Sequence, residues 1–318
     1  MIEARNLTKR YGARLAVEDL SFSLTPGQVV GFLGPNGAGK STTMRMLMGL
    51  SRPTSGSITV LGKPYEEHRN PLGVVGALLD AKGMHPGRTA RSHLRALAAT
   101  HNIPDARVDA VLALTGIDSV AHKRIGGFSL GMGQRLGIAS ALLGDPEVLV
   151  LDEPVNGLDP DGVLWVRNFV RGFAASGRTV LLSSHLMSEM AQTADHVLVI
   201  GRGRLIADAP IGELMGSKSQ RRVRVASPDA IRLGELLRAE GARSTQDCAG
   251  LELVLQGITA ERVGEIAAQH GIVLHSLTTD ALSLEEAYLS LTRNEVEYSA
   301  DADPRFSTAP TAESPVSA

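Results

Sequence analysis

Short apolar runs punctuate the first two thirds of the chain: Val29–Leu33, Val148–Leu151, Thr179–Ser183 and His196–Ile200. They are apolar at successive positions rather than alternate ones. That is the pattern of strands buried on both faces of a parallel sheet. Stretches with helical spacing lie between them, which predicts βαβ units. Residues 1–218 therefore read as one glycine-punctuated α/β domain. Within it the pattern changes between Thr89 and Asp145. Leu94, Leu97 and Ala98 recur at helix spacing, and Val111, Leu112 and Leu114 do so less regularly. A helical insertion at about 84–147 is expected.

A second pattern begins after Ser217–Gln220, which reads as a linker. Arg222–Ala226 alternates like a strand, and Asp229–Ala239 reads as a helix closed by Gly241. Strands are predicted around Ser244–Asp247 and Leu251–Gln256, joined at Ala249-Gly250. A helix at Ala260–Gln269, closed by Gly271, and a strand at Ile272–Leu277 follow. The order β-α-β-β-α-β is that of a ferredoxin-like unit. A last helix is expected from Ser283, where SLEE forms a capping box with Glu286 three residues on. These elements make an accessory α+β domain over 219–293. From Asn294 to 318 the composition is polar and small, so disorder is expected.

Composition narrows the function classes. The chain has 318 residues, room for about two domains at ~150 residues each. Formal net charge is −2 and aromatics are 3%. Neither the basic footprint nor the stacking surface of a nucleic-acid binder is present. The single cysteine, Cys248, fits a reducing compartment. No uninterrupted apolar run reaches ~18 residues, and the charged start MIEARNLTKRYG lacks a secretory apolar core. The expectation is a chain soluble on its own that can dock on a membrane protein.

Chemistry enters with Gly34, Pro35, Asn36, Gly37, Ala38, Gly39, Lys40, Ser41 and Thr42, which contain the spacing GxxxxGK[ST] between an apolar strand and a predicted helix. Glycines let backbone N–H groups converge on an anion, and the helix start adds its positive dipole end. Lys40 would reach the β/γ-phosphates of a nucleoside triphosphate, and the Ser41 hydroxyl would join Mg²⁺. In VLVLDEP the strand Val148–Leu151 delivers two acids. Asp152 suits the Mg²⁺ environment, and Glu153 suits polarising a water toward the γ-phosphate.

This ordered set resembles the ATP-binding subunit of ABC transporters. KRYG places Tyr11 where the family stacks an aromatic on adenine. FSLGMGQR is similar to the signature LSGGQ: Ser129 and Gly131 match, while Leu130 and Met132 replace Gly and Gln. VNGLD places Asp159 where the family has its dimer-interface loop. SSHLMSE places His185 at the switch histidine that contacts the γ-phosphate. A family Gln expected within VVGALLDAKG is absent, and Asp80 stands in its place, where a carboxylate can ligate Mg²⁺ or its water. The resemblance implies a P-loop NTPase with a RecA-like parallel core, an antiparallel β subdomain and the helical insertion. It implies ATP and Mg²⁺ as ligands, and head-to-tail dimers in which Ser129, Gly131 and Met132 close on the partner's ATP. It also implies separate transmembrane permease subunits and a peripheral place on the cytoplasmic face of the membrane. A homodimer is sufficient, because every ATP motif lies in this chain. The C-terminal unit is similar to that of drug- and antibiotic-exporter ATPases, so export of a hydrophobic drug, antibiotic or lipid is the expectation. An import subunit for a nutrient and a soluble non-transport ATPase are the alternatives. Trp165, His270, His275 and Met44, Met46 and Met48 read as packing residues.

Overall fold

A computed structural model describes residues 1–80, 83–215, 222–246, 252–280 and 284–292. Its strands are β1 (Ile2–Tyr11), β2 (Arg14–Leu24), β3 (Val29–Leu33), β4 (Ser55–Val60), β5 (Val75–Leu78), β6 (Val148–Asp152), β7 (Thr179–Ser183), β8 (His196–Gly201) and β9 (Arg204–Pro210). Four more follow: β10 (Arg222–Ala226), β11 (Arg243–Gln246), β12 (Glu252–Gln256) and β13 (Ser276–Asp280).

Six strands form the central sheet in the order β5-β6-β7-β3-β8-β9, parallel except at the edge strand β9. Both of its faces are covered, as the apolar runs predict. Val29, Leu33, Leu149, Leu151, Val180 and Leu182 face a core shared with helices Ala90–Ala99, Asp105–Leu114 and Leu130–Ala141 of the insertion. Alternate residues Val30, Phe32, Val148, Val150 and Leu181 face a second core under helix Lys40–Leu47 and the antiparallel sheet β2-β1-β4. That antiparallel sheet is the β subdomain the family resemblance implied. Its strands alternate in and out, so they leave no apolar run to see. Met44 and Met46 are buried in this second core, as expected of gap-filling side chains.

β10 to β13 form an antiparallel sheet in the order β11-β12-β10-β13 with helices Ala230–Ala239 and Ala260–Gln269, the ferredoxin-like arrangement. Its core is separate and built on Val223, Val225, Leu233, Leu253, Leu255 and Val263. The last strand lies later than its apolar run suggests: Ser276–Asp280, not Ile272–Leu277. Ile272 is spent closing the preceding helix. Its N–H donates to the Ala267 carbonyl (2.8 Å) after Gly271 turns at φ +65°, and its side chain is buried. Pairing with β10 starts only at Ser276, opposite Ala226. β11 likewise starts one residue before the expected Ser244. Helix Leu284–Thr292 does not join the core of the ferredoxin-like unit. Leu284 is buried in the core of the large α/β unit, and Tyr288 packs against the same cluster. The linker Ser217–Gln220, Cys248, the Ala249-Gly250 turn, the Ser283 cap and the tail from Asn294 lie outside the described residues.

Candidate nucleotide site

Sheet register assembles the site. β6, β7 and β3 are parallel neighbours, and Phe32, Ser183 and Asp152 stand abreast at their carboxyl ends. The chain therefore leaves three adjacent strands at one level, as Gly34 onward, Glu153 onward and Ser184-His185. Crevices at the carboxyl ends of parallel strands are where such sheets bind ligands.

The glycine loop runs from Gly34 to Gly39, whose φ of +107° starts helix Lys40–Leu47. A Cβ at Gly34 would lie 2.5 Å from the Ile200 carbonyl oxygen, and one at Gly39 would lie 2.6 Å from that of Ala16. Both positions therefore need glycine. Lys40 folds back along the loop, and its Nζ donates to the carbonyls of Gly34 (2.5 Å) and Pro35 (3.2 Å). Only 7% of the residue is exposed, and burial pulls its pKa down from the ordinary lysine value, while Glu153 and Asp152 pull it back up. A buried ammonium beside an open cleft is placed to gain from an incoming anion.

Asp152 is tied on both oxygens. Ser41 Oγ donates to Oδ2 (2.7 Å) and Ser183 Oγ donates to Oδ1 (2.5 Å). The Ser183 hydroxyl in turn accepts from the Glu153 N–H (3.0 Å). Glu153 itself sits at φ +52°, a conformation that costs a non-glycine residue about 1–3 kcal/mol and persists only where its surroundings hold it. His185 supplies part of that hold: its Nδ1 lies 2.7 Å from Glu153 Oε2, and its backbone N–H donates to the same oxygen (3.4 Å).

Lys40, Ser41, Asp152 and Glu153 border a cleft of about 620 Å³ also lined by Tyr11, Arg14, Ala16, Pro35, Asn36, Gly37, Gly39, Thr42 and Leu79, while Gly34, Ala38 and His185 are not part of its lining. Tyr11 is half exposed, with its hydroxyl 3.2 Å from Ser51 Oγ and Lys9 Nζ 4.9 Å from its ring centre. Asp80 is exposed just past the end of β5, and Leu79 rather than Asp80 borders the cleft. Ser129, Gly131, Met132 and Asp159 do not line it either. Ser129 caps helix Leu130–Ala141 by accepting from the Met132 N–H (3.2 Å), and Asp159 caps helix Pro160–Ala175 through the Gly162 N–H (2.9 Å). The two turns pack on each other, because a Cβ on Gly131 would meet Leu158 at 3.2 Å and one on Gly157 would overlap Leu130. Trp165 packs as expected, stacked on Phe169 with the Arg135 guanidinium 4.5 Å from its ring centre.

Sequence reading missed Arg14 and Ser183. Arg14 opens β2 across the Gly12 turn from Tyr11, and its charge gives no hint of a cleft. Ser183 ends an apolar run and is fully buried between the two acids.

The fold and the cleft define a P-loop nucleoside triphosphatase. Comparisons sharpen the class. The family model for ABC transporters matches residues 17–156, and a domain model of unknown function matches 221–285. The chain is 42% identical over 217 residues to the bacitracin transport ATP-binding protein of Bacillus licheniformis, covering 67% of this chain and 71% of that protein. It is 35% identical to a lantibiotic transport ATP-binding protein of Streptococcus pyogenes (65% and 90% covered). It is 39% identical to the Nod factor export ATP-binding protein I of Burkholderia orbicola (68% and 73%). A solved ATP-binding subunit of an ABC transporter superposes with a TM-score of 0.62 at 26% identity, covering 67% of this chain and 91% of that one. A dimeric cassette in a post-hydrolysis state with ADP and Pi shares the fold at 20% identity and a TM-score of 0.61, over 66% and 99%. This chain belongs to the ABC transporter family as an ATP-binding subunit, and it is an ATPase.

Proposed function

We propose that this ATPase drives export of a hydrophobic antibiotic through separate membrane permease subunits, with two copies closing head to tail on ATP. The observation that carries the catalytic part is the joining of Lys40, Ser41, Asp152, Glu153 and His185 at the carboxyl ends of three adjacent central strands. The cargo class rests on the bacitracin and lantibiotic transport relatives. Among the described residues no helix is long and apolar enough to cross a membrane, which supports a peripheral subunit served by a separate permease.

In this reading Tyr11 stacks on the base. The N–H groups of Gly34 to Thr42 and the Lys40 ammonium hold the phosphates. The Glu153 carboxylate orients water at the γ-phosphate, and His185 holds Glu153 and meets the same phosphate. Asp80 serves from the rim. Ser129, Gly131, Met132 and Asp159 act on the partner's nucleotide, which explains why they stand outside this chain's own cleft. Mg²⁺ fits the oxygens present: Ser41 Oγ and Asp152 already meet at 2.7 Å, and this cation takes one or two protein oxygens alongside phosphates. When bound, it neutralises charge on the phosphate oxygens. We assign residues 1–218 to this work and 219–293 to an accessory role.

The test is ATP turnover and dimerisation of the purified chain, wild type against Glu153→Gln. Turnover should vanish in the variant, which should form an ATP-dependent dimer. A variant that hydrolyses ATP at the wild-type rate would overturn the Glu153 assignment. Export is tested by expressing the chain together with candidate membrane permease subunits. A raised tolerance to bacitracin-type peptides that Glu153→Gln abolishes supports it, and unchanged tolerance refutes that cargo class.

A further inference from the structure

Helix Leu284–Thr292 follows the ferredoxin-like unit in the chain but is packed into the α/β unit. It lies against helix Met187–Thr193, the short helix Ile211–Leu214 and β9. Leu284 and Ala287 are 2% and 7% exposed, and Tyr288 packs on the same cluster, which includes Met187, Met190 and Ala191. Helix Met187–Thr193 begins two residues after His185, whose ring meets Glu153 at 2.7 Å. On its other side this helix is clamped by Arg167, whose guanidinium donates to Glu189 (2.6 Å) from helix Pro160–Ala175. A small void lined by Val155, Val166, Leu182 and Met190 lies behind it. The same terminal helix is tied to the ferredoxin-like unit: Arg222 of β10 donates to Glu286 at 2.9 Å.

We propose that Leu284 and Tyr288 are positioning residues for ATP hydrolysis, fixing the helix that follows His185 and so linking the C-terminal unit to the rate of turnover. Helix Met187–Thr193, packed between the terminal helix and helix Pro160–Ala175, keeps its position only while both contacts hold, and the loop bearing His185 leads directly into it. The small void marks imperfect packing behind this helix, so loosening its other flank lets the helix shift and carries His185, two residues before it, out of place. This rests on the reading of His185 and Glu153 given above. The C-terminal unit touches the chain of contacts at Arg222–Glu286, so its movement reaches the site without touching nucleotide.

The test uses the full chain with Leu284→Ala and Tyr288→Ala, and Leu284→Met and Tyr288→Phe as conservative replacements. Turnover, KM, ATP affinity in a Glu153→Gln background and the His185 imidazole resonance, assigned through His185→Gln, are measured. The alanine variants should lose turnover on the order of tenfold, the scale of a slight misplacement of a reacting group. ATP affinity should stay at the wild-type value, the His185 resonance should shift, and the conservative variants should restore turnover. If the alanine variants keep both turnover and the resonance, the proposal is overturned. It is also overturned if they lose ATP affinity and turnover in parallel, the mark of general loosening; should Leu284→Ala not fold, Tyr288→Ala decides. Wild-type turnover in His185→Gln would instead remove the role of His185, a separate failure.

Discussion

Ser183→Ala removes one oxygen and disconnects both acids of the site. In the wild type that hydroxyl donates to Asp152 Oδ1 at 2.5 Å and accepts from the Glu153 N–H at 3.0 Å. The residue has no exposed surface, so water cannot replace the lost bonds. A hydrogen bond to a charged group contributes about 1.5–3 kcal/mol, and an orphaned buried N–H costs about 1–3 kcal/mol. The two overlap, so a loss of about 2–4 kcal/mol is expected. At roughly 2–4 °C per kcal/mol, Tm should fall by about 4–16 °C. The chemical consequence is larger than the thermal one, because Glu153 occupies φ +52° only by constraint. With its N–H released the carboxylate loses its aim, and kcat should drop on the order of ten- to a hundredfold with little change in KM for ATP. Differential scanning fluorimetry and a steady-state phosphate-release assay measure the two effects. A Ser183→Ala protein with wild-type Tm and kcat would show that Asp152 and Glu153 are held by something else.

Gly157→Ala should weaken ATP-driven dimerisation and hydrolysis while leaving ATP binding to the monomer, because φ there is +75° and a Cβ would push Leu130 of the signature turn aside; sedimentation with Glu153→Gln as background reads this. Asp80→Gln should retain ATPase activity or raise it, and equal activity of Asp80→Gln, Asp80→Ala and wild type in ATPase and transport assays would deny Asp80 a role. Burial, then Arg88, lowers the His93 pKa below 6.5. The folded state binds that proton less tightly than the unfolded one, so stability is lost as pH falls below 6.5, and His93→Leu should show a shallower loss over that range in pH-dependent melting. Lys40 follows the same rule at the other end of the scale. Its lowered pKa makes the nucleotide-free protein gain stability as pH rises toward 10.5. Lys40→Met should lack that gain, and parallel melting profiles would refute the burial argument.

The central sheet was legible because burial on both faces leaves a run that no surface strand imitates. Val148 to Leu151 are all fully buried, alternating between two cores. β1, β2 and β4 were not placed from the pattern, because a half-exposed antiparallel strand interleaves charges such as Glu3, Arg5 and Glu18 with its core residues. The missed boundary at β13 has a local cause. Ile272 is apolar for a helix cap's sake, and period-two reading cannot tell that from a strand's first residue.

The site divides along the same physical line. Residues whose chemistry is carried by backbone geometry were readable, since a glycine loop feeding a lysine and a serine has few other uses. Residues that work through position alone were not. Ser183 is chemically unremarkable in TVLLS, and only the register that sets Asp152 opposite it gives the hydroxyl two acids to organise. Leu284 and Tyr288 look like the end of an accessory unit in SLEEAYL, yet they complete the core that holds the helix following His185. An ATPase of this kind converts a phosphate contact into motion, so its rate must depend on what stiffens the elements bearing that contact. The sequence names the groups that touch the nucleotide. The packing names those that decide how firmly they touch it, and Ser183 and Leu284 are where the two can be separated by experiment.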